Sequence, residues 1–246
     1  MGPSPRRRRD DAVLAVAKPL LFLACLLPLA ALVWAGFRGG LGANPVESIT
    51  HDTGQWALRL LLATLAVTPI RRLTGWAPVV RLRRMLGLFA FLYAALHLTT
   101  YLWLDQFFAW GAIAEDVLER PYITVGFAAF LLLVPLAATS TQAMVRRLGG
   151  RRRRLLHRLV YPAAALAVLH FLWLVKADLR EPLVYAAILA LLLAARVRLP
   201  GRAPGTAPGV AASKGRDDTV RARNGPDPRK RRREQQTQQP RQRRGP

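Results

Sequence analysis

The chemistry this 246-residue sequence offers is carried by four histidines, His51, His97, His157 and His170. Two of them, His157 and His170, share the stretch LLHRLVYPAAALAVLHFLWLV (Leu155 to Val175), which is apolar and long enough to cross a bilayer. Ionisable residues at membrane depth are disfavoured unless they serve a function. Imidazole is a common metal ligand and an axial ligand of haem iron. The pattern therefore points to redox iron held within a membrane. Thirteen positions separate the two imidazoles, roughly 20 Å along a helix and roughly 140° around it. They stand at different depths, although Pro162 between them offers a kink that could realign them.

The elements that must position these residues follow from composition. The chain is 52% hydrophobic yet carries a net charge of +23, and the two properties are segregated. Alanine and leucine fill blocks of about twenty residues, the length that spans about 30 Å of hydrocarbon, and arginine fills the gaps. The blocks are Pro19 to Phe37, Gly54 to Ile70, Met85 to Leu104, Pro121 to Ala138, Leu155 to Val175 and Pro182 to Val197. Thr68-Pro69 reads as a helix end, Pro121 as a first-turn proline and Pro135 as a kink or frayed end. Residues 38–55, which include His51, the acidic stretch 105–120 and the basic stretch 139–154 read as loops. The expected architecture is an all-α membrane protein: a basic N-terminus (1–18), a six-span helical bundle (19–198) and a disordered basic tail (199–246). A cleaved signal peptide is the rival reading of the N-terminus, but the first block is longer than a usual h-region and no A-x-A-like site ends it.

Charge orients the bundle. Arg6 to Arg9, the 71–84 loop, the 146–158 region and the tail hold most arginines, whereas the alternate loops hold most acids. The positive-inside rule places both termini in the cytoplasm. Trp34, Trp56, Trp103, Trp110, Tyr122 and Trp173 then gather near the outer interface. Spans three and five both run outward. His97 lies twelve residues into span three and His170 fifteen residues into span five, so the two match in depth, one helix facing the other, as a bis-imidazole haem requires. His157 lies near the inner surface with no second membrane histidine at its depth. A lone membrane histidine can simply bond a neighbouring helix, which explains a depth-matched pair poorly. His51 reads as solvated, and Arg59 as snorkelling to the interface or, more sharply, as a contact for a haem propionate or a quinone.

Several classes are excluded. The single cysteine, Cys25, rules out an internal disulfide, a Cys-ligated zinc site and a Cys-ligated iron–sulfur cluster. The arginines are explained by topology and anionic lipid, and no folded module supports nucleic-acid binding. A histidine-relay transporter is disfavoured because the acids lie in loops. A stand-alone ferric or cupric reductase and a structural anchor with a basic tail are further rivals.

The segments GQWALRLLLATLAVTPIRRL (from Gly54), RRMLGLFAFLYAALH (from Arg83), RPYITVGFAAFLLLVPLAATS (from Arg120) and LHRLVYPAAALAVLHFLWLVKAD (from Leu156), in this order, resemble the MsrQ (YedZ) family of ferric-reductase-like membrane domains. The resemblance covers about residues 12–198. It implies a bacterial inner-membrane subunit that takes electrons from quinol, passes them through haem b and delivers them to MsrP, a periplasmic molybdopterin enzyme that repairs methionine sulfoxide in proteins. It implies His97, His170 and His157 as haem ligands and an association with FMN, for which no phosphate cradle is legible. The basic tail is not part of the family pattern.

Overall fold

The computed structural model describes residues 5–175 and 177–198, and every regular element among them is helical. The expected disordered tail lies outside the described residues.

The first helix, α1 (Pro5–Phe37), runs straight through the basic N-terminal segment that had read as separate. Pro5 opens its first turn, and arginine and alanine favour helix. Asp10 and Asp11 then accept hydrogen bonds from Trp76 Nε1 at 3.3 Å and Arg81 at 2.6 Å. α2 (Pro45–Thr74) begins well before Gly54, because Asn44 caps it, Pro45 fits its first turn and Glu47 complements the helix dipole. His51 is therefore helical, not in a loop. Nor does Thr68-Pro69 end the helix. Pro69 sits inside it, and the end falls at Gly75, whose φ of 68° and N–H bond to Arg71 O form a left-handed cap. A 3₁₀ turn (Ala77–Arg81) leads into α3 (Arg83–Thr99), which passes into a π segment (Thr100–Asp105).

Two further stretches expected as loops are helices. Trp110–Glu119 forms the short α4. The arginine-rich stretch forms α6 (Gln142–Leu156), capped by Thr141, whose side chain accepts from Met144 N–H. Arginine is a good helix former even where its charges repel. Between them, α5 (Pro121–Ala138) has Pro121 in its first turn, as expected, with Pro135 in its last. Span five is broken by a 3₁₀ turn at His157–Leu159 before α7 (Val160–Leu174), and α8 (Arg180–Arg198) closes the bundle.

Packing is pairwise. α2 lies along α3 and α5 along α7, while α8 leans on α2 and α7. Ala163 and Ala164, wholly buried, let α7 approach its neighbours closely. Helices α1, α2, α3, α5, α7 and α8 alternate between an arginine-rich end and an opposite end. Among the described residues, four helical stretches are long and apolar enough to cross a membrane: Arg8–Phe37, Ala77–Asp105, Pro121–Ala138 and Gly150–Leu174. Outward-facing leucines such as Leu27, Leu131 and Leu191 are more than 60% exposed, as a lipid-facing surface requires.

One polar contact ties α1 to this core. The Tyr93 side chain of α3, 1% exposed, donates to Cys25 O at 2.8 Å and accepts from Leu29 N–H at 3.1 Å. Residues 25 and 29 are partners in an α-helical ladder, so the hydroxyl bonds both members beside the Pro28 ring. Tyr93→Phe leaves those groups without the hydroxyl in an apolar setting. It should lower stability by about 1–3 kcal/mol, read as an earlier thermal transition in detergent with helix content unchanged at low temperature.

Candidate functional site

At the end opposite the arginines, the four helices α2, α3, α5 and α7 surround a cavity of about 660 Å³. That volume lies within the range of small-molecule and cofactor sites. Its walls are mostly apolar, and Glu47, Asp105 and Arg120 stand among its lining groups. His97 from α3 and His170 from α7 both line it, with ring centroids 6.1 Å apart and planes inclined at 75°. The depth match read from the sequence is thus a direct approach of the two side chains.

Each imidazole is held in the same way. His97 Nδ1 lies 2.8 Å from the carbonyl of Thr50 on α2, and His170 Nδ1 lies 2.7 Å from the carbonyl of Tyr122 on α5. A carbonyl can only accept, so each Nδ1 carries the proton and each Nε2 presents a lone pair. Four residues beyond each carbonyl is a glycine. A Cβ on Gly54 would lie 3.0 Å from the His97 ring, and one on Gly126 would lie 2.8 Å from His170 Nδ1. In a helix the residue four positions on normally donates to that same carbonyl. Its lack of a side chain lets the imidazole lie against the turn and share the acceptor. The device occurs twice, once on the α2–α3 pair and once on the α5–α7 pair.

The geometry suits one metal between two rings. A metal–nitrogen distance of about 2 Å on each side, plus about 1 Å from ring nitrogen to ring centre, places the centroids about 6 Å apart. The π segment that follows α3 widens the helix immediately after His97; such bulges concentrate at functional sites.

The remaining sequence candidates fall elsewhere. His51 is exposed, yet it lines this cavity and a second one of about 650 Å³ between α1 and α2. Arg59 does not line the cavity. It donates to Tyr185 and Gln55 and lies over the Trp56 ring, bracing Gln55 in the wall. His157 is not brought to the pair. It stands at the arginine-rich end, near Arg83 and Arg153, with its Nε2 buried and unpartnered among the described residues. Thr50, Gly54, Tyr122 and Gly126 were missed in the sequence. The available signal was a lone glycine inside each apolar helical pattern, which marks close approach of another group.

A helical bundle with several apolar helices of membrane length is the architecture of a multi-pass membrane protein. In agreement, residues 53–168 match the family described as ferric reductase like transmembrane component. The chain is 62% identical over 180 residues to the protein-methionine-sulfoxide reductase heme-binding subunit MsrQ of Rhodospirillum rubrum, covering 72% of this chain and 85% of that protein. It is 54% identical over 186 residues to MsrQ of Herminiimonas arsenicoxydans (75% and 85% covered) and 59% over 196 residues to MsrQ of Xanthomonas campestris pv. campestris (77% and 89%). The chain belongs to the MsrQ family.

Gly126→Ala should force the His170 ring or α5 to shift and cost about 1–3 kcal/mol through overpacking. Gly111→Ala, where nothing lies within 4 Å of the added carbon, is the matched control. Thermal unfolding of both purified variants checks the difference. Equal midpoints would remove the close-approach argument.

Proposed function

We propose that the chain holds b-type haem between His97 and His170 and carries electrons across the bacterial inner membrane from quinol to a separate periplasmic molybdopterin enzyme, MsrP, that reduces methionine sulfoxide in proteins. The observation that carries this reading is the facing pair of imidazoles, each with Nδ1 committed to a backbone carbonyl and Nε2 free for iron. The names of the relatives, heme-binding subunits of a protein-methionine-sulfoxide reductase, support it.

When bound, the haem supplies one-electron iron chemistry. The chain supplies the rest. The carbonyls of Thr50 and Tyr122 fix each ring's tautomer and raise the basicity of Nε2, as second-shell acceptors do for metal-bound histidines. The apolar walls exclude water and favour burial of the ring system. Arg120 offers a cation to haem propionates, Asp116 orienting it through a contact of 3.2 Å.

The same reading makes the bundle six spans, adding α2 and α8 to the four stretches above, with both termini in the cytoplasm and the paired histidines on the periplasmic side. α2 carries Arg59 in its interior, and α8 has Arg180, Glu181, Arg196 and Arg198 at its ends. Lateral packing of α2 against α3 and bonding of Arg59 within the bundle make these charges compatible with a membrane. His157 we place on the donor side, as an iron ligand of an inner haem or as a group facing quinol. FMN, implied by the resemblance alone, enters at no step. The ferric-reductase-like match favours one second reading, a stand-alone metal reductase of the same design.

The test is optical. A dithionite-reduced minus oxidised spectrum of haem-supplied protein should show a b-type signal, and His97→Ala or His170→Ala should each remove the outer haem. Full haem content in both variants would sink the ligand assignment. Gly54→Ala and Gly126→Ala, which act through the second-shell bonds, should weaken haem retention by about tenfold. Quinol-dependent reduction of purified MsrP by membranes, set against reduction of ferric citrate, separates the two readings.

A further inference from the structure

Away from the paired histidines, the arginine-rich end brings cations together without visible compensation. Arg196 of α8 donates to Tyr161 and, at 2.7 Å, to Leu65 O, and its guanidinium lies over the Tyr161 ring. Arg83 of α3 lies within electrostatic reach of both Arg196 and Arg153. The Nε atoms of Arg153 and Arg196 are buried and meet no hydrogen-bond partner among the described residues. Ion pairs among those residues involve Arg81, Arg120 and Arg180, none of them in this group. The three residues are half-buried, and buried guanidinium N–H groups left without an acceptor are unfavourable, so this arrangement suits an anion.

We propose that Arg83, Arg153 and Arg196 form a binding site for the phosphate headgroup of an anionic phospholipid, from the leaflet at the arginine-rich end. Three features select this occupant. On the six-span reading proposed above, on which this inference rests, the cluster sits where α3, α6 and α8 meet the membrane surface, the level at which headgroup phosphates lie. Helix α6 carries six arginines and no acid, with Arg151, Arg152 and Arg154 exposed beside the buried Arg153 Nε; a polybasic surface element of this kind concentrates anionic lipid. Guanidinium nitrogens match phosphate oxygens in geometry and charge. Basic pockets between membrane helices take anionic headgroups for the same reasons. The bound lipid would join α6 to the bundle through charge.

The test uses the full chain, haem-supplied and extracted into nanodiscs containing phosphatidylcholine with or without cardiolipin and phosphatidylglycerol. Native mass spectrometry after release counts the retained lipids. The unsubstituted protein should keep an anionic lipid. Arg153→Gln should lower that retention by about fivefold, the scale of one surface cation, while Arg84→Gln, exposed on the first turn of α3, leaves it unchanged. Arg153→Lys should restore most of it. Arg153 makes no side-chain hydrogen bond among the described residues, so its variants decide the matter even if Arg196→Gln fails to fold. Equal anionic-lipid retention in Arg153→Gln and the unsubstituted protein overturns the proposal. So does a loss of haem content in Arg153→Gln with lipid retention unaltered, which would assign the cluster to cofactor carboxylates.

Discussion

The structure turns on two hydrogen bonds from imidazole Nδ1–H groups to main-chain carbonyls, His97 to Thr50 and His170 to Tyr122. Each links a helix that carries a histidine to the helix alongside it, so each sets the relative height and rotation of a helix pair. Each also fixes which nitrogen is free. Were either bond absent, the ring could turn about its side-chain torsions and the facing geometry would be lost. Helix packing, glycine placement and cavity shape can all be derived from the need to make these two bonds at once.

This need explains a quasi-repeat that composition hides. On α2 the order is carbonyl at Thr50, glycine at Gly54; on α5 it is carbonyl at Tyr122, glycine at Gly126. The partner helices, α3 and α7, each bring one histidine. Neither half forms a site alone, because a single imidazole on an apolar wall can only bond its neighbour. Two such halves set side by side bring the two rings to 6.1 Å within the lining of one cavity. The outlying helices have lesser tasks. α8 braces α2 and α7, and α1, held by the Tyr93 hydroxyl at Cys25 and Leu29, shields one side of α2 and α3.

Much of this was legible in the sequence, for a reason that lies in the bilayer. Hydrocarbon thickness fixes span length, so counting residues from the arginine-marked span starts located His97 and His170 at equal depth without knowledge of the packing. Lateral facts have no such ruler. Gly54 read as the start of a span when it is in fact nine residues into α2, and Gly126 passed without notice in an apolar run. Their role depends on which helix lies alongside, which spacing along one chain does not encode. Charge misled in the opposite direction. The arginines of α6 and the acids of α4 read as loops because polarity marked them as outside the membrane. Polarity bears on location and says nothing about helicity: arginine and glutamate are good helix formers. At Pro69 the local rule lost to tertiary context, since the helix passes the proline and stops only where Gly75 can adopt a positive φ.

The quasi-repeat also shows why the two ends of the bundle cannot do the same work. His157 precedes His170 by thirteen residues on the α7 side. The corresponding positions on α3, thirteen and fourteen residues before His97, hold Arg84 and Arg83. A guanidinium stays protonated and has no lone pair to give a metal, so this end lacks the second half of a bis-imidazole site. It has instead an imidazole among cations, where a positive charge on the ring would be opposed by Arg83 and Arg153 and any anion nearby would be drawn in. The scaffold is symmetric in its helices and asymmetric in its charges. One end holds a mostly apolar cavity with two imidazoles and charges of both signs in its wall, while the other is predominantly cationic. On the proposed reading, the difference between the two ends comes down to a guanidinium at the level on α3 where α7 carries an imidazole.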